Sequence, residues 1–191
     1  MADKFDVRAS QSGPLDSAVI SAGPMLVMAP VGEYARFSLR IAHKNLPKAE
    51  AAFGRDIPAK IGEMSSAGEK TALCLGPDEW LLLARAGEGE EIAVRFSKMY
   101  AQTTHSLVDV SHRTLAIDIS GPAAALVLNA GCPLDLEAME TGRCTRSVLD
   151  KAEIILMKFA KQHYRVEIAS SFAEYVWRFL SHAGREFDIS K

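Results

Sequence analysis

The chain has 191 residues, 48% of them hydrophobic and 24% charged, with a formal net charge of −2. This is the composition of a globular protein with a sizeable core. The 22 Lys and Arg residues are scattered rather than gathered into a basic stripe, which argues against nucleic acid as a partner. The longest apolar runs, Met25–Pro30 and Trp80–Ala84, fall far short of the roughly 20 residues that a membrane-spanning helix needs.

The N-terminus, Met-Ala-Asp-Lys-Phe-Asp, has no apolar core of the secretion-signal kind, and Cys74, Cys132 and Cys144 stand at unrelated spacings. Together these predict a cytoplasmic protein with free thiols. Residues 1–24 contain Gly13, Pro14, Gly23 and Pro24 without a period and read as an extended or disordered arm.

Met25–Pro30 predicts a short edge strand ended by Pro30 and Gly32. Arg36–Ile41 alternates apolar and polar residues, the mark of a strand with one buried face. A helix is expected over Leu46–Phe53. The runs Thr71–Leu75 and Trp80–Ala84 then form a hairpin, with Gly76-Pro77-Asp78 as its turn. From about Glu90 to Tyr100 a helix places Ile92, Phe96, Met99 and Tyr100 on one stripe.

The second half repeats this order. Leu115, Ile117 and Ile119 alternate along a strand, and Gly121-Pro122 opens a helix whose apolar face is Leu126, Val127 and Ala130. Strands over Glu153–Phe159 and Tyr164–Ala169 precede a last helix. Ser171 and Glu174 fit a capping box there, and Phe172, Tyr175, Val176, Phe179 and Leu180 make its stripe. Arg36–Ile41 thus matches Thr114–Ile119, and the strand from Trp80 matches the strand from Tyr164, with an extra strand at the start of each half (Met25–Met28, Ser106–Val110). The fold class expected is α+β: two similar lobes, residues 25–104 and 105–187, each a mostly antiparallel sheet with helices on one face, forming one compact unit.

The usual catalytic constellations do not emerge: there is no Gly-rich nucleotide loop and no Gly-x-Ser-x-Gly elbow. The five histidines are far apart. His105 and His112 flank a predicted strand with Asp109 between them, where solvated strand ends are preferred to a metal site. Glu88, Glu90 and Glu91 suit a helix start. Cys74 and Cys132 read as small core residues, and Cys144, in a predicted loop, as either a bland or a reactive thiol. No catalytic, cofactor or metal residue is assigned. Trp177 lies off the stripe of the last helix, roughly 140° from Phe172, and either caps the core edge or faces a partner. With the apolar segment of Met25, Leu26 and Met28, which an edge strand would expose, it makes the candidate partner interface.

Several separated stretches resemble the sarcosine oxidase gamma subunit family. They are Leu75-Gly76-Pro77-Asp78-Glu79-Trp80-Leu81-Leu82-Leu83, Asp109-Val110-Ser111-His112-Arg113, Cys132-Pro133-Leu134-Asp135-Leu136 and Ser170-Ser171-Phe172-Ala173-Glu174-Tyr175-Val176-Trp177. Gly121-Pro122-Ala123 and Arg146-Ser147-Val148-Leu149 also match, so that the resemblance covers about Met25 to Phe187. That family is similar in fold to folate-binding aminomethyltransferases. The resemblance implies a heterotetramer that oxidatively demethylates sarcosine to glycine, reduces oxygen to hydrogen peroxide and passes the one-carbon unit to tetrahydrofolate. It places FAD, FMN and NAD in the alpha and beta subunits and zinc in delta, with this chain binding none of them and packing against alpha. The aminomethyltransferases carry their catalytic Asp in an Asn-x-x-Gly-Gly-Ile-x-Asp-Asp type segment that this chain lacks. A scaffold subunit is therefore the leading reading. A stand-alone folate-binding one-carbon protein is the alternative, and an assembly module unrelated to sarcosine the third.

Overall fold

Strand β3 (Tyr34–Ile41) organises the first half, because its two faces serve two different cores. Phe37, Leu39 and Ile41 turn toward helices α1 (Leu46–Phe53) and α2 (Gly89–Met99), where they meet Phe53, Ile92 and Phe96. The computed structural model describes Leu15, residues 20–21 and residues 24–187; most of the segment 1–24, expected as an arm, lies outside the described residues.

On either side of β3 lie β6 (Glu79–Arg85) and β7 (His105–Asp109), and beyond β6 come β5 (Lys70–Gly76) and β4 (Met64–Ala67), giving the order β4-β5-β6-β3-β7. The Trp80–Ala84 run is apolar at every position because both faces of β6 are buried. Trp80 and Leu82 face the helices, while Leu81 and Leu83 face the other sheet. The Trp80 indole N–H donates to the Pro58 carbonyl at 2.8 Å, so its burial leaves no polar atom unsatisfied.

The second sheet has the order β1-β2-β8-β11-β10-β9. Its members are β1 (Ile20–Ser21), β2 (Val27–Pro30), β8 (Thr114–Ser120), β9 (Arg143–Leu149), β10 (Ala152–Ala160) and β11 (His163–Ala169). Helices α3 (Ala124–Asn129) and α4 (Ala173–Gly184) cover its outer face. Every strand pairing in both sheets is antiparallel. Between the sheets lies a thin third core of Leu73, Leu81, Leu83, Cys144 and Met157, so the layers run helices, sheet, sheet, helices.

The repeat read from the sequence is real, but its opening strands change places. β2, from the first half, pairs with β8 in the second sheet, and β7, from the second half, pairs with β3 in the first. The reason is packing: Leu26 and Met28 are wholly buried in the second core, beneath α4. Met25–Pro30 is accordingly not the edge strand expected, since β1 flanks it on one side and β8 on the other.

Two helices bury a different face from the one their periodicity suggests. α4 begins at Ala173 after a 3-10 turn over Ser170–Phe172, and no side-chain hydrogen bond caps it, so the Ser171–Glu174 capping box does not form. It buries Ala173, Val176, Leu180 and Gly184, whereas Phe172 and Tyr175 stay exposed. Close approach to β2 decides this: a Cβ on Gly184 would lie 2.9 Å from Leu26 Cδ2. In α3, Ala124, Ala125, Val127 and Leu128 are buried, while Leu126 and Ala130 face solvent. With six residues this helix makes under two turns and seats its small Ala side chains on the sheet.

One buried ion pair joins the two sheets. Arg36 and Glu167 sit at inward positions of β3 and β11, with side chains 4% and 1% exposed, and Arg36 Nε donates to Glu167 Oε2 at 2.8 Å. Removing one partner leaves a buried charge uncompensated, at a cost of about 3–5 kcal/mol, whereas replacing both with apolar residues is nearly neutral. Chemical denaturation should therefore show Arg36→Met destabilised on that scale and Arg36→Met/Glu167→Leu close to wild type. Equal loss in the single and double variants would show that the pair does not act as a unit.

Candidate functional site

The two connectors that carry the exchanged strands between sheets, residues 31–33 and 110–113, meet at one end of the sandwich. There they line a cleft of about 800 Å³ with the start of β3 and the first turns of α2. Ala35, Ala86, Gly89 and Ala93 form a wall of small residues. Glu33, Glu90 and Asp109 supply carboxylates, with His112, Ser111 and Thr114 beside them.

Asp109 shows how the local sequence builds this end. Its Oδ1 accepts the Ser111 N–H at 2.8 Å and the Ser111 hydroxyl at 2.5 Å. The same hydroxyl oxygen accepts the Arg36 N–H at 2.9 Å. The Asp-Val-Ser motif thus ties the second connector to β3, a local turn of the kind Asp and Ser favour. Asp109 therefore bonds to backbone at the end of its strand. Arg36 is among the lining residues, and its buried guanidinium is matched in charge by Glu167, with Nη1 donating to the Tyr34 carbonyl at 3.2 Å. The hydroxyl of Thr114 is enclosed and has no hydrogen-bond partner among the described residues.

A second charged group lies along the inward face of the second sheet. Arg165 makes a two-pronged bond to Asp118, at 2.7 and 2.9 Å, and its guanidinium lies 5.5 Å from the Tyr34 ring centre and 5.2 Å from that of Phe159. Burial pulls the Arg165 pKa down, but the hydrogen bonds and charge of Asp118, aided by Tyr34, outweigh it and hold it above the usual value. Arg165 thus acts as a fixed cation that clamps β8 to β11 and links them to β3 through Tyr34.

The sequence-predicted site residues separate. Leu26 and Met28, expected at a partner interface, are core residues, because β2 is sandwiched between strands and under α4. Met25 and Trp177 are half-buried at the margin of the same core, and the Met25 carbonyl accepts the Ala123 N–H at 3.0 Å. Val27, which points the other way, is the exposed member of the strand. His105 is buried, with Nδ1 2.8 Å from the Thr103 carbonyl and its ring against Phe96 and Tyr100, whereas His112 lines the cleft and is exposed. Among the described residues, no group of three or more His, Cys, Asp or Glu is placed to hold a metal ion, and no helix is long and apolar enough to cross a membrane.

Cys74 and Cys132 are buried, as expected. Cys144 is not in a loop. It lies in β9, buried where that strand meets the start of β4, and an isolated Glu63–Arg143 bridge joins the two sheets at this edge. Its N–H donates to the Gly62 carbonyl at 2.9 Å, and its thiol to the Glu63 carbonyl at 3.3 Å. Burial, reinforced by nearby Cys74, pushes its pKa up to about 12.

Comparison with known proteins places these features in a family. The model of the sarcosine oxidase gamma subunit family matches residues 45–186. The chain is 34% identical to a sarcosine oxidase subunit gamma of Arthrobacter sp. over 140 residues, covering 72% of this chain and 68% of that one. It is 33% identical to the counterpart from Corynebacterium sp. strain U-96 over 144 residues, 74% of this chain and 69% of that one. In structure it matches a chain of the heterotetrameric sarcosine oxidase of Corynebacterium sp. U-96 with a TM-score of 0.80 and 27% identity, covering 88% of this chain and 89% of that one. Its fold is also that of the glycine cleavage system aminomethyltransferase T of Bartonella henselae, with a TM-score of 0.65 at 13% identity over 84% of this chain and 46% of that one.

The buried thiol gives a pH test of the sheet junction. An unfolded thiol ionises near 9 and Cys144 near 12, so the folded state holds this proton more tightly. Its stabilisation is complete below pH 9 and is lost as pH rises toward 12, with a slope of about 1.4 kcal/mol per pH unit. Denaturation of wild type and Cys144→Ala between pH 8.5 and 10.5 should show a shallower loss in the variant. Parallel curves would contradict the placement of this thiol.

Proposed function

The chain belongs to the sarcosine oxidase gamma subunit family, and we propose that it serves as a non-catalytic subunit of a heterotetrameric sarcosine oxidase, supporting assembly of the other subunits. The observation that carries this reading is the likeness, along nearly the full length of both chains, to a chain of the Corynebacterium heterotetramer. In this reading the partners are the alpha, beta and delta subunits in the cytoplasm, with the main contact to alpha. The oxidative demethylation of sarcosine to glycine, the formation of hydrogen peroxide and the transfer to tetrahydrofolate take place in those subunits. FAD, FMN and NAD belong to alpha and beta, and zinc to delta.

Two features of the chain support a structural role over a stand-alone folate-binding one. The space between the sheets, where a pocket between lobes would lie, is filled by Leu73, Leu81, Leu83, Cys144 and Met157. Asp109, in the stretch Asp109-Val110-Ser111-His112, spends its carboxylate on Ser111.

Co-expression of this chain with alpha, beta and delta, and purification through a tag on this chain, tests the proposal. A yellow complex that consumes sarcosine, and that fails to assemble when this chain is left out, is the expected result. A colourless, monodisperse protein that emerges alone would contradict it and move the next assay to tetrahydrofolate binding.

A further inference from the structure

We infer that residues 135–141 form a strap over the second core that opens and closes as a unit, with the buried Lys158 ammonium as its clasp. The strap belongs to the connector between α3 and β9, residues 130–142, which has no helix or strand of its own. A connector of this length is uncommon inside a compact domain. Lys158 lies on the face of β10 that Ile154 and Leu156 give to the second core, and it is 3% exposed. An apolar side chain suits that position. Its Nζ instead donates to the carbonyls of Leu136 and Met139, both at 2.7 Å, and of Glu137 at 3.4 Å. An ammonium has three N–H donors and no acceptor, so the strap meets it donor for donor. The Tyr164 ring centre lies 5.2 Å from the same Nζ, and its hydroxyl donates to the Leu136 carbonyl at 2.9 Å.

This clasp gives the strap two states. Among the described residues no carboxylate pairs with Lys158, so the buried charge is held by carbonyl dipoles and a ring face. Closed, the ammonium and the carbonyls satisfy each other; fully lifted, water satisfies both. Half-lifted, neither side is satisfied, and a buried charge without partners is costly. The strap also moves as one piece, because Asp135 ties it internally: its Oδ1 accepts the Ala138 N–H at 3.0 Å and its carbonyl the Met139 N–H at 3.2 Å. Both ends are anchored. Asn129 Nδ2 donates to the Cys132 and Leu134 carbonyls at 3.0 and 2.5 Å, and the Gly142 N–H donates to the Lys158 carbonyl at 2.9 Å. Asp135, Glu137, Ala138, Glu140 and Thr141 are exposed, and Leu136 is the one residue of the strap that is fully buried. Closure therefore rests on Leu136, Tyr164 and the ammonium.

Amide hydrogen exchange of the full chain tests this. Lys158→Met keeps the length of the side chain without its charge, and Lys158→Ala leaves a gap the size of propylammonium. In Lys158→Met the Ala138 and Met139 amides should exchange roughly tenfold faster than in wild type, with β8 and β11 unchanged. Added n-propylammonium chloride should slow the same amides in Lys158→Ala, whereas sodium chloride and 1-propanol at equal concentration should not. Tyr164→Phe removes one hydrogen bond from the same clasp and decides the matter where a Lys158 variant does not fold. It should speed these two amides by a smaller factor. Wild-type exchange in the strap of the variants would overturn the clasp. Equal acceleration of β8 and β11 would overturn a strap that opens separately. Slowing by propanol as strong as by propylammonium would make Lys158 a filler of space and overturn the role of its charge.

Discussion

The contact between the two sheets is the constraint on which the rest of the molecule depends. Each sheet packs its outer face against its own helices, and the inner faces pack against each other. Side chains from both sheets fill that contact, and Arg36 with Glu167 spans it at 2.8 Å. At one edge the sheets are bound through backbone as well, where Glu63 bridges to Arg143 and Met64 N–H donates to the Gly142 carbonyl at 3.0 Å. At the opposite end the connectors of the exchanged strands cross. A sandwich stitched at one edge and crossed at one end has its freedom removed before any partner arrives.

The exchange of β2 and β7 converts two similar halves into a single object. Neither half holds all the strands of its own sheet: the second sheet takes β2 from the first half, and the first takes β7 from the second. Gly121 marks how tightly the borrowed strand is seated. It adopts φ +112, and a Cβ there would collide with the Met25 carbonyl. The crossing is also what makes the cleft, whose acidic lining comes from one connector, the end of β7 and the start of α2. Fold and candidate site therefore have one origin.

Much of this was legible in the sequence, for a clear reason. Period-two alternation in Arg36–Ile41 and the apolar run from Trp80 report burial directly, and α1 was expected over the residues it occupies. What escaped is set by partners that periodicity does not register. Arg36 and Glu167 sit at polar positions of alternating strands and read as solvent-facing, yet their shared face meets another sheet. The only local hint was that two opposite charges stand at inner positions of strands in different halves. The outward turn of Phe172, Tyr175 and Leu126 depended on where small residues let a helix approach its sheet. The sheet assignment of β2 could not be read from a three-residue connector, which suits a hairpin as well as a crossing.

Hydrogen–deuterium exchange of this chain, free and within the heterotetramer, tests the central claim most directly: that the sandwich is closed by its own inner contact before any partner arrives. The account predicts that the buried strands β6 and β11 are equally protected in both states. Fast exchange in β6 and β11 of the free chain, slowed only on assembly, would contradict it.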